Sequence, residues 1–259
     1  MRIALGLEYD GTPFSGWQYQ EGVETVQRCV ERALSQVADH PVRVSCAGRT
    51  DAGVHATGQV IHFESDAPRS MRAWVMGVNA NLPKTICVLW AKPVGEDFHA
   101  RFSAQRRSYR YVLFNRPVRP TFLAHRVTWE YRPLDAVSMA EAAQYLVGEH
   151  DFSSFRALEC QAKHPVRTLY RLDVSRAGQM IYLDAEANGF LHHMVRNIAG
   201  VLVAIGAGER PAEWAQQVLA HRDRTLGGVT APAHGLYLTQ VQYPPHFALP
   251  HAGPVQLPF

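Results

Sequence analysis

Gly48-Arg49-Thr50-Asp51-Ala52-Gly53-Val54-His55-Ala56 places one carboxylate, Asp51, between two glycines in a polar connection. Glycine admits backbone angles that other residues resist, so the run suits a tight turn that presents a single acid. Asp and Gly are also the commonest residues of an ordinary hairpin loop. Arg49 beside Asp51, in a connection too crowded for a simple turn, favours chemistry. An ionised carboxylate can act as nucleophile or base, which makes Asp51 the catalytic candidate.

Two further segments carry groups that could serve such an acid. In Arg106-Arg107-Ser108-Tyr109-Arg110-Tyr111-Val112-Leu113-Phe114, strand alternation sets Tyr109, Tyr111 and Leu113 on one face and Ser108, Arg110, Val112 and Phe114 on the other. Aromatic rings among arginines on a sheet can stack bases while guanidinium groups meet phosphates; a half-buried strand with core tyrosines would read the same way. Arg196 sits in a nearly all-apolar run from Met194 to Ile205. A charge there either reaches solvent or is buried against an acid, and Asp51 is the candidate partner. Asp151, in His150-Asp151-Phe152, reads better as a turn or cap residue.

The elements that must hold these residues follow from periodicity. Strands are expected at 2–9, 42–46, 59–64 and 86–94, with helices from Thr25 and over 71–79. The second half repeats the order: strands at 104–115 and 126–131, a helix at 135–147, strands at 167–176 and 179–186, helices at 191–207 and 211–221, and a strand at 236–243. The fold class is α/β (α+β), two ferredoxin-like or RRM-like halves with mainly antiparallel sheets around a central cleft. The expected boundaries are 1–103 for the half with the Asp51 loop, 104–245 for the second half and 246–259 for a Pro/His tail.

Composition narrows the partners. The 259 residues hold 26 Lys+Arg against 23 Asp+Glu, a net +3, yet residues 101–132 contain eight arginines and one acid, Glu130. A basic strip on a slightly acidic remainder suits a polyanion held on one face. No apolar run reaches the roughly 20 residues of a membrane span, and the N-terminus lacks a signal peptide's apolar core, so a cytoplasmic protein is expected. Cys29, Cys46, Cys87 and Cys160 form no C-x-x-C pair and read as buried or incidental thiols. No metal site is expected: zinc-site spacings are lacking, and His192 and His193, adjacent on an apparent helix, would diverge by about 100°.

The Asp51 segment, Arg101-Phe102-Ser103-Ala104, residues 106–111, His150 to Phe155, Gly189 to Gly200 and Ala231 to Leu238 together resemble the tRNA pseudouridine synthase A family. The resemblance runs in order over nearly the whole chain, with Ala233 departing where the family often has a second proline. It implies that Asp51 is the essential aspartate, that Tyr109 stacks on the target uracil, that Arg196 pairs with the aspartate, and that Arg49 helps displace the target base. It further implies a cofactor-free homodimer acting on uridines of the tRNA anticodon arm, the family's target positions being 38, 39 and 40. The rival readings are a non-catalytic RNA-binding protein with paired RRM-like sheets and, more distantly, a zinc-dependent nucleobase deaminase. The first leaves unexplained why an acid should face a polyanion.

Overall fold

The computed structural model describes residues 1–250; residues 251–259 of the expected tail lie outside the described residues. The chain divides into two compact units, Met1–Arg107 together with the chain from Tyr237 onward, and Ser108–Leu236. Strand pairing within them is mostly antiparallel, giving the mixed α/β class expected.

The first unit contains β1 (Arg2–Tyr9), α1 (Val26–Ala38), β2 (Ser45–Cys46), β3 (His55–Glu64), α2 (Met71–Asn81) and β4 (Ile86–Val94). β1 lies between β4 and β3, and β2 pairs with β3. Alternation along β1 fixes the two faces. Ile3 stands opposite Phe63, whose ring meets Trp74 of α2 edge-on at 5.0 Å, so that face is the helix-covered core. Ala4 and Val60 face the other way, where Phe98, Ala100, Tyr243, Phe247 and Leu249 cover them. The described start of the tail is therefore packed on the first sheet. Thr25 and Ser70 begin the helices by accepting the N–H groups of Arg28 (3.3 Å) and Ala73 (3.1 Å), a capping arrangement worth about 1 kcal/mol each.

The second unit contains β5 (Arg106–Asn115, whose first two residues belong to the first unit), β6 (Thr128–Glu130), α3 (Ala136–Gln144), β7 (Gly148–Asp151), β8 (Val166–Ala177), β9 (Met180–Ala187), α4 (Met194–Gly206) and α5 (Trp214–His221). Its strands run in the order β5-β9-β8-β7, with β6 parallel to β5. β5 is a strand covered on both faces: Tyr111, Val112 and Leu113 are fully buried.

Beyond shifts at element ends, such as β3 beginning at His55 where a strand from 59 was expected, four local expectations change. The strand expected at 42–46 shrinks to Ser45–Cys46, because the N–H groups of Val42 and Val44 donate to Ser35 and Glu31 of α1. β7 is an addition, since Gly-Glu-His-Asp shows no apolar alternation. The helix expected from 191 starts at Met194, because His193 is left-handed (φ 63°) and cannot extend it. The final strand, β10 (Leu236–Gln242), expected with the second half, groups with the first unit from Tyr237, running parallel to β3 with Tyr237 opposite His55. Gly58 permits this approach, since a Cβ there would overlap the Thr239 carbonyl. Among the described residues, no helix is long and apolar enough to cross a membrane.

Candidate active site

The Asp51 loop closes on itself and is clamped from below. Asp51 O accepts the Val54 N–H at 3.1 Å across a four-residue turn, with Gly53 left-handed at φ 77° as the third residue. The Trp17 N–H donates to Thr50 O at 2.9 Å, and the Thr50 hydroxyl meets the Tyr9 hydroxyl at 2.8 Å. Gln59, fully buried, donates from its amide to Gly48 O at 2.6 Å. Both backbone neighbours of Arg49 are thus fixed by buried groups while the Arg49 side chain is exposed. Two glycines outside the motif make the close packing possible. A Cβ on Gly11 would overlap the Val54 carbonyl, and one on Gly16 (φ 86°) would lie 2.9 Å from Thr50 O. His55 takes the Gly11 N–H at Nδ1 (3.1 Å) and stacks on Tyr237 at 4.6 Å. Asp51 itself is half-buried. The result is one acid on a rigid turn.

In the second unit, Tyr109 lies on β5, 9% exposed, with its ring edge-to-face on Phe190 at 5.0 Å and 80°. Tyr111 is fully buried; its hydroxyl donates to Pro232 O (2.8 Å) and meets Thr128 Oγ1 (2.6 Å). Burial pushes its phenol well above the usual tyrosine range. Arg196 leaves α4 half-buried, and its Nε donates to Ala231 O at 2.8 Å. His234 is held below the usual imidazole range by burial, then by the charges of His125 and Arg196. Asp151, expected as a turn or cap residue, is the last residue of β7, and its carboxylate caps the turn that follows by accepting the Ser153 N–H at 2.9 Å. The expected divergence of His192 and His193 is corrected: they precede α4, and their rings approach to 4.1 Å between centroids.

The basic strip divides by role. Arg107 donates to the carbonyls of Ala47 (3.0 Å), Ala104 (3.1 Å) and Arg101 (2.6 Å). Arg110 grips Asp184 with two bonds, at 2.7 and 2.9 Å. Arg132 pairs with Glu130 at 2.6 Å, and Arg116 donates to Val118 O at 2.7 Å. Arg101 and Arg119 are exposed. Sequence reasoning missed Tyr9 and Gln59, which hold the loop from beneath. The available signal was a polar residue inside an otherwise apolar strand or helix pattern.

A family model described as tRNA pseudouridine synthase matches residues 7–103 and 142–244. The chain belongs to the tRNA pseudouridine synthase family, a family of isomerases. More particularly, it is similar to proteins named tRNA pseudouridine synthase A. That of Alcanivorax borkumensis is 58% identical over 260 residues, covering 99% of this chain and 97% of that one. That of Pseudomonas aeruginosa is 60% identical over 250 residues, covering 96% and 88%. That of Coxiella burnetii is 57% identical over 259 residues, covering 99% of each chain.

Proposed function

We propose that this enzyme converts uridine to pseudouridine in the anticodon arm of tRNA, with Asp51 as the catalytic carboxylate and no cofactor. The isomerisation breaks the C1′–N1 bond, turns the uracil and joins C1′ to C5, so it needs no redox partner, water or energy donor. The observation that carries the reading is the rigid turn with one acid at its head, in a chain matched to this family over most of its length. Asp51 acts as nucleophile on the base or on C1′, or as base at C2′; the three routes share the same carboxylate. Tyr109 keeps the detached ring stacked, Arg196 orients Asp51 and favours its ionised form, and Arg49 takes the space that the extruded nucleotide vacates, offsetting the few kcal/mol of unstacking. We assign these roles from the family resemblance, together with a homodimeric, cytoplasmic enzyme.

Asp51→Asn tests the proposal with the full-length protein and an unmodified tRNA transcript. Pseudouridine mapping should show no product, while tRNA binding stays within about threefold, since the amide keeps the shape of the acid and removes its charge. Turnover like the parent's would remove Asp51 from the mechanism. A parent protein that binds tRNA and forms no pseudouridine would favour the non-catalytic RNA-binding reading.

A further inference from the structure

We infer that Asn197 is a positioning residue for the reaction, acting through Arg196; the inference rests on the reading above that Arg196 serves Asp51. Asn197 is 1% exposed in an apolar helix, and both ends of its carboxamide are hydrogen-bonded. Nδ2 donates to Phe155 O at 2.7 Å, while Oδ1 accepts from Thr230 Oγ1 at 2.7 Å and from Arg224 Nη2 at 3.0 Å. Arg224 Nη2 also donates to Thr230 Oγ1 at 2.9 Å, closing a triangle. One amide thus ties α4 to two loops, 152–155 and 224–231.

The second loop bears on Arg196. Beyond Thr230, Ala231 O receives the Arg196 Nε, and the Ala231 N–H returns to Arg196 O at 3.1 Å. The loop has little freedom to shift along the helix, because a Cβ on Gly200 would overlap the Val229 carbonyl. Asn197 therefore locks the carbonyl that aims the guanidinium. A long, flexible side chain that donates to a backbone carbonyl depends on that carbonyl for its aim, and small misplacements of charged groups can cost on the order of 100-fold in rate. Only an amide gives opposed donor and acceptor ends in this space, since a carboxylate would face Phe155 O without a proton.

The test is a double-mutant cycle on pseudouridine formation with the full chain and a tRNA transcript, read as kcat and KM separately. Asn197→Ala should lower kcat roughly 10- to 100-fold with KM within about threefold, and Thr230→Val, which keeps shape and removes the hydroxyl's bonds to Asn197 and Arg224 while leaving the Asn197–Phe155 bond in place, should lower it less. In an Arg196→Ala background both losses should shrink to within about twofold, because no guanidinium remains to aim. Equal losses in both backgrounds would overturn the inference, showing a general structural role. If Asn197→Ala fails to fold, Thr230→Val alone decides by the same comparison. Turnover like the parent's in Arg196→Ala itself would instead overturn the underlying role of Arg196, a distinct result.

Discussion

Tyr109 presents a ring and a hydroxyl, and the role proposed for it, keeping a detached uracil stacked, requires only the ring. With its edge-to-face packing on Phe190 at 5.0 Å, the ring is already oriented before any base arrives. Stacking of a base on an aromatic ring is worth about 1–3 kcal/mol. Tyr109→Phe should therefore hold turnover within about threefold of the parent, while Tyr109→Ala should lose roughly 10- to 100-fold. Single-turnover assays on a tRNA transcript compare them, and equal losses would point to the hydroxyl. At this scale the sequence was legible where residue types are unusual together: an acid between glycines, tyrosines among arginines, an arginine in an apolar helix. Gln59 and Asn197 escaped because a polar residue in an apolar pattern marks burial without naming its partners, which include backbone carbonyls that any sequence supplies.

Among the elements, the periodic ones were readable and the short ones were not. β1, α1 and β4 follow their apolar repeats closely, whereas β2 is cut short by two side chains of α1 that take its backbone N–H groups. Such competition is invisible to hydrophobic alternation. The face of β3 turned away from the helices carries a second unforeseen feature. His62 is buried against Phe98 and His99, and its Nδ1 accepts the Ala100 N–H at 3.1 Å, which requires the neutral ring. Burial, then the charge of His99, lowers it from 6.5 to about 4. A depressed histidine binds its proton more readily in the unfolded chain, so stability is complete above pH 6.5 and falls as pH drops from there to about 4. The contribution is at most about 3 kcal/mol. Denaturant melts at pH 7 and pH 4.5 should show the loss, and His62→Gln, which keeps an acceptor for Ala100, should flatten it. An unchanged pH slope in that variant would assign the acid sensitivity to other groups.

For the molecule as a whole, net charge is a poor guide and the local charge of the strip needs subdivision. Counting arginines between 101 and 132 points to a polyanion, but counting cannot separate cations that meet solvent from cations that hold the fold. Arg107 binds three backbone carbonyls and Arg110 a carboxylate, so reversing their charge would disturb packing as much as binding. Arg101 and Arg119 are exposed and suit phosphate binding. Removing one arginine–phosphate pair should reduce the slope of log affinity against log salt by about 0.7 to 0.9. Arg101→Gln with Arg119→Gln should therefore flatten the slope for tRNA by about 1.5 and leave thermal stability unchanged. Arg110→Gln should do the reverse: the same slope as the parent, with a drop of about 1 kcal/mol in stability as Asp184 is deprived of its bidentate partner. Binding isotherms at several salt concentrations, paired with thermal melts, separate the two classes. A steep slope retained in the Arg101/Arg119 variant would move phosphate binding elsewhere on the surface.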